Sequence, residues 1–223
     1  MNVIQQGWAF LTASAHWHGS DGIPTRFAEH LQYTALALFI AAAVALPLGL
    51  LAGHTRRGGF AVTTLANVAR ALPTLGVLVL LIFFWLGVEL RALVISLVAL
   101  GIPPILLNTY EGIRSVDPQL TDAARGMGLK PAQVLFRAEF PAALPLILTG
   151  LRGGAVQILA TATIAAYGPF GGFGRYIIDG YALQDYEQVI GGAFLVAATS
   201  ILLLAFFGLL RRLLVSPGIR KQG

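Results

Sequence analysis

Cysteine is absent from the 223 residues, and acidic and basic side chains together make up only 11% of them. The first absence excludes structural disulfides and thiolate metal sites, and it fits either redox compartment. The second excludes a soluble domain, whose surface needs roughly a quarter of its residues charged. Segments of about ten residues that alternate apolar and polar, the units of a membrane β-barrel, are also missing. So is any phosphate-binding loop of the Gly-x-x-x-x-Gly-Lys-Ser/Thr type, which excludes a nucleotide site of that kind in this chain.

Hydrophobic residues amount to 57%, with a mean hydropathy of +0.76. Five stretches carry no Asp, Glu, Lys or Arg: Leu31–Gly53, Ala71–Val88, Ala92–Tyr110, Gly153–Gly174 and Gln188–Leu210. Each is long enough to cross about 30 Å of hydrocarbon as a helix, and backbone in lipid must bond within its own segment. The expected fold class is all-α and polytopic, a membrane protein with five transmembrane helices.

An isoelectric point near 10.0 points toward nucleic acid, but the positive charges lie in particular loops rather than along one face. Membrane orientation explains them better, and no nucleic-acid partner is expected. If the first helix runs inward, ten cations face the cytoplasm: Arg56, Arg57, Arg114, Arg125, Lys130, Arg137, Arg211, Arg212, Arg220 and Lys221. Only Arg26, Arg91 and Arg175 then face outward, so the N-terminus is expected outside and the C-terminus inside.

The organisation expected is an external segment, 1–29, a transmembrane domain, 30–212, and a cytoplasmic tail, 213–223. The stripe Ile4, Trp8, Leu11 and Ala15 reads as an interfacial helix, retained because no basic stretch or cleavage pattern marks a signal peptide. His16 and His18 lack a third ligand nearby, so no metal site is expected. Pro47 and Gly49 predict a kink in the first span, and Arg56-Arg57 an anchor to anionic headgroups. Arg70 lies near the start of the second span, where a long side chain reaches the interface. Ala71-Leu72-Pro73-Thr74 predicts a break. Gly101-Ile102-Pro103-Pro104 predicts a mid-membrane break in the third span, facing protein or water. Pro103, Pro104, Asn108 and Tyr110 are the candidates for lining a translocation path, with a packing kink as the alternative. The fourth span is expected from near Leu144, with Arg152 about two turns in. Gly168–Gly174 should end it, and Arg175–Glu187 should be an external amphipathic stretch.

Between the third and fourth spans lies a polar island, Glu111 to Glu139, closed by Pro141. Asp117-Pro118 is a helix start, with Asp as N-cap and Pro at the first helical position. Gly126 and Gly128 end that helix after about two turns, and Lys130-Pro131 starts another. Two short helices at a sharp glycine turn are too short to span and too patterned to be disordered, which suits a docking element.

Asp122-Ala123-Ala124, three residues, Gly128, nine residues, Ala138, one residue, Phe140-Pro141 resembles the EAA loop of membrane subunits of binding-protein-dependent ABC importers. That family's pattern has Glu, Ile and Leu where this chain has Asp122, Ala138 and Phe140. PPILLNTYEGIRSVDP, DAARGMGLKP, EFPAALPLILTGLRGGAVQILATATIAA and GPFGGFG extend the likeness over Leu31 to Arg212, toward permeases for osmoprotectants such as glycine betaine, choline and carnitine. The family's glycine run usually ends Gly-Ala-Gly-Gly-Leu-Gly, a difference that bears on the substrate.

The resemblance implies a MetI-like type I ABC importer transmembrane domain in the bacterial cytoplasmic (inner) membrane, with 111–141 as its coupling loop. It implies that Asp122, Ala123, Ala124, Gly126, Gly128 and Pro141 couple to a cytoplasmic ABC ATPase dimer, which binds the ATP. No cofactor in this chain and no catalytic residue are implied. The other partners implied are an extracytoplasmic substrate-binding protein, expected as a separate chain, a second copy or related permease, and membrane lipid. Tyr110, Tyr167, Phe170 and Phe173 are aromatic candidates along the path, with packing as the alternative. Competing readings are a permease for another small solute such as an amino acid, a passive channel, and a membrane-embedded enzyme. A channel has no need of the docking loop, and an enzyme needs convergent His, Asp or Glu that the uncharged spans lack.

Overall fold

A computed structural model describes residues 2–216. Arg220 and Lys221, counted in the charge asymmetry, and most of the expected tail lie outside the described residues, as does the side chain of Arg70. The described chain contains helices and no strand. These are α1 (Val3–Thr12), α2 (Ile23–Thr55), α3 (Gly59–Ala71), α4 (Thr74–Leu81), α5 (Leu90–Arg114), α6 (Pro118–Gly126), α7 (Pro131–Tyr167), α8 (Gly174–Leu183) and α9 (Tyr186–Leu214). A π turn, Ile82–Leu86, follows α4, with Phe83, Phe84 and Trp85 exposed.

Four helices, α2, α5, α7 and α9, are long and apolar enough to cross a membrane. A fifth crossing exists if α3 and α4, separated at Leu72-Pro73, count as one broken span. The predicted break at Ala71–Thr74 is therefore present, with Pro73 capping α4 where its missing N–H has no partner to lose.

Three expectations are corrected. Pro103 and Pro104 do not break α5, which runs unbroken from Leu90 to Arg114. Prolines persist within membrane helices when a neighbouring helix packs on the disturbed backbone. Here α7 lies close against this stretch of α5: a Cβ at Gly154 would lie 3.2 Å from the Gly101 carbonyl and one at Gly150 would lie 2.9 Å from the Pro104 carbonyl. Second, the fourth span begins at Pro131 rather than near Leu144, so the island's second helix is the first part of α7. A π turn, Leu135–Glu139, precedes Pro141 and widens the helix where a proline ring would otherwise meet the carbonyl four residues back. Third, α2 begins at Ile23, which carries Arg26, Glu29 and His30 into the first long helix.

The chain forms two compact units, each discontinuous in sequence. The first comprises Met1–Leu38, Pro73–Val98 and Ala155–Leu203. Its core joins Tyr33, Leu78, Leu93, Leu97 and Ile158. A second cluster of Phe10, Ile23, Phe173 and Tyr176 seats α1. The side of α1 that packs is Gly7 and Phe10, while Ile4 and Trp8 of the predicted stripe remain exposed. His16 stacks on the Phe10 ring at 4.0 Å, and among the described residues no group of three ligating side chains surrounds a metal position.

Within this unit the glycine run is clasped by α2. Glu29 Oε2 accepts the Gly172 N–H at 2.7 Å and Arg26 Nη1 at 2.9 Å, and Arg26 also pairs with Asp21. A Cβ at Gly171 would fall 1.8 Å from Glu29 Oε2, so any side chain there would have to displace the carboxylate. Tyr176 Oη donates to the Asp21 carbonyl, and burial pushes its ionisation up to about 12.

The second unit comprises Phe39–Leu72, Ala99–Gly154 and the chain from Leu204. In it α5 is gripped by glycines spaced four apart on two helices. A Cβ at Gly49 or Gly53 of α2 would lie 2.7 Å from the Cβ of Thr109 or Ile113. One at Gly150 of α7 would lie 2.7 Å from that of Asn108. Without a hydrophobic drive between helices in lipid, such close backbone approach supplies the packing energy.

Candidate functional site

The polar island folds as its residues direct. Asp117 caps α6, its Oδ1 accepting the Gln119 N–H at 2.8 Å, and Pro118 fills the first helical position. At the other end Gly128 adopts φ +84°, its N–H bonding the Arg125 carbonyl at 2.9 Å. The Leu129 N–H bonds the Ala124 carbonyl at 3.2 Å. These two bonds form a Schellman cap and satisfy carbonyls the helix end leaves open.

One side of α6 is held by the chain. Thr121 and Ala124 are buried, and α6 packs on the first turns of α7, while Val116, Ile113, Ala143 and Ile147 form a core cluster. A nine-residue helix is marginal alone, so this tertiary contact keeps it formed. The opposite side is open: Asp122, Ala123 and Gly126 are exposed, and Leu120 and Met127 are 44% and 74% exposed. Phe136 of α7 is 61% exposed. A surface cavity of about 440 Å³ is lined by Leu120, Ala123, Met127, Leu129, Arg137 and Pro141, among others.

The sequence pair Ala123-Ala124 therefore divides its work, with Ala124 packing inward and Ala123 outward. Asp122 pairs with Arg125 at 3.6 Å, but both are well exposed and such a pair contributes little. Asp122 thus remains free to exchange this partner for another cation.

A contact that sequence reasoning missed anchors the far end of the loop. Glu139, only 7% exposed in its side chain, meets His54 Nδ1 at 2.6 Å. This joins the π turn of α7 to the last turn of α2. Eighty-five residues separate the two, and nothing local in sequence marks them as partners.

Of the four path candidates, Pro103 and Tyr110 are covered by the chain itself in this conformation, whereas Pro104 and Asn108 are half-buried. Asn108 Nδ2 donates to the Pro104 carbonyl at 2.8 Å, and Tyr110 Oη accepts from Arg114 at 2.6 Å. Among the aromatic candidates Tyr167 is exposed, Phe170 half-buried and Phe173 buried.

Residues 45–221 match the family described as "Binding-protein-dependent transport system inner membrane component". The choline transport system permease protein OpuBB of Bacillus subtilis is 32% identical over 193 residues, covering 86% of this chain and 88% of that one. The glycine betaine/carnitine/choline permease OpuCB of the same organism is 33% identical over 175 residues, 78% and 80% of the two chains. The osmoprotectant import permease OsmY of Salmonella typhimurium is 34% identical over 185 residues, 81% and 78%. Among solved structures, an inward-facing MetNI methionine ABC transporter matches with a TM-score of 0.73 at 21% identity, over 85% of this chain and 94% of that one.

Proposed function

Because the chain belongs to the family of binding-protein-dependent transport system inner membrane components, we propose that it is the permease subunit of an ATP-driven importer for osmoprotectants. Its substrates in this reading are quaternary amines such as glycine betaine, choline and carnitine, the solutes named for its relatives. The observation that carries the coupling role is α6 itself, a helix capped at both ends that is fixed on one side and presents Leu120, Ala123 and Met127 on the other.

In this reading α6 seats in a groove of a cytoplasmic ABC ATPase, two copies of which bind the ATP. Met127 and Leu120 give up exposed apolar area there, and Asp122 meets a basic group of the partner. When the ATPase subunits close, α6 moves as a rigid body. The movement reaches α5 and α7 through Val116 and Ile147, and α2 through the His54–Glu139 contact. Two permease subunits enclose the path, and Pro104 and Asn108, half-buried in this conformation, are the candidates for lining it. Pro103 and Tyr110 join it only on rearrangement of the helices around α5. An extracytoplasmic binding protein delivers the solute. The N-terminus lies outside and the C-terminus in the cytoplasm of a bacterial inner membrane.

The test is energised uptake of labelled glycine betaine and choline by cells expressing the chain with its ATPase and binding protein, against a Gly128→Asp variant that still reaches the membrane. Loss of uptake in the variant is expected. Undiminished ATP-dependent uptake would sink the coupling role, and wild-type cells taking up neither compound would move the substrate to another small solute.

A further inference from the structure

Arg152 stands within the apolar span of α7, a position at which a charge needs a counter-ion. None of the ion pairs among the described residues includes it or Arg211. The two instead line one cleft between α7 and α9, with Leu148 and Thr149 on one side and Phe207 and Gly208 on the other. Among the described residues no carboxylate lines this cleft, and the Thr149 hydroxyl already donates to the Pro145 carbonyl at 2.9 Å. Leu148 and Phe207 are buried and give it an apolar floor. A Cβ at Gly208 would meet nothing within 4 Å and the enclosed volume is only about 20 Å³, so the cleft is shallow and a bound group would sit at its open mouth beside the guanidinium groups.

Two like charges facing one cleft beside hydrocarbon destabilise each other unless an anion lies between them. Arg211 belongs to the last turn of α9, where the span leaves the hydrocarbon, and Arg152 reaches that level with a long side chain. The anion abundant at that depth is the lipid phosphate, whose oxygens suit the planar guanidinium fork. We propose that Arg152 and Arg211 bind the phosphate of an anionic phospholipid at the mouth of this cleft. The inference rests on the spans alone and does not depend on the transport reading.

The full chain in detergent is exchanged into mixed micelles of equimolar phosphatidylglycerol and phosphatidylcholine, and bound lipids are counted by native mass spectrometry. Wild type is expected to retain phosphatidylglycerol in excess. Arg152→Gln and Arg211→Gln should each lower that excess by about fivefold, the ratio equivalent to about 1 kcal/mol per basic residue at an anionic surface. Arg91→Gln, at an exposed residue paired with Glu89, should leave it unchanged. If Arg152→Gln fails to insert, Arg152→Lys, which keeps the charge without the fork, and Arg211→Gln carry the test. Equal retention of both lipids by wild type, or an undiminished excess in the variants, would overturn the proposal. So would displacement of the lipid by excess inorganic phosphate, which would mark a free-anion site, or a preference confined to monomers, which would assign the cleft to contact between copies.

Discussion

Gly128 and Gly171 each resist substitution, for opposite reasons. At Gly128 an added Cβ meets nothing within 4 Å, but φ is +84°, so a side chain costs about 1–2 kcal/mol in backbone conformation alone. Gly128→Ala should therefore weaken amide-exchange protection at the end of α6 by about that amount while leaving α2 and α5 unchanged. At Gly171 the backbone is ordinary and the obstacle is Glu29, 1.8 Å from the would-be Cβ. Gly171→Ala should destabilise by roughly 1–3 kcal/mol, and a Glu29→Ala background should recover part of this. Thermal unfolding of the wild type, the two single variants and the double variant in detergent measures the coupling; strictly additive effects would mean that Glu29 does not hold the loop. The positive φ at Gly128 was legible in sequence from helix-ending chemistry. The Glu29 contact was not, because it joins residues 143 apart whose meeting depends on how α2 packs.

At the scale of elements, caps were readable and continuity was not. Asp117, Pro118 and Gly128 mark both ends of α6 because capping is satisfied within four or five residues. Asp117→Ala should cost about 1 kcal/mol of α6 stability, seen as faster amide exchange over 118–126, and should weaken association with the ATPase. Prolines mislead by the same locality: they remove a donor wherever they stand, but whether the helix breaks depends on what packs there. With the glycine face of α7 packed close by, α5 stays whole at Pro103-Pro104, whereas α3 and α4 part at Pro73. His54→Ala should leave the buried Glu139 without its partner and destabilise by roughly 1.5–3 kcal/mol, an effect that Glu139→Gln in the same chain should largely relieve. Unfolding in denaturant that shows no such relief would remove this contact from the coupling route.

For the whole molecule, the charge asymmetry of the loops makes a prediction that the absence of cysteine renders simple to check. Single cysteines at Ser14 and Ser216 should be labelled by an impermeant maleimide only from outside and only after permeabilisation, respectively; the reverse pattern would invert the topology. The amino-acid sequence by itself determined that the chain is helical and membrane-bound and where α6 begins and ends. Hydropathy, charge placement and capping are properties of neighbouring residues and need no partner. Only the tertiary structure decided that α5 is unbroken, that Ala124 faces inward and Ala123 outward, that His54 meets Glu139, and that Arg152 shares a cleft with Arg211. Each of these depends on which helix lies against which, and in lipid that choice is made by close backbone approach at glycines rather than by any local pattern.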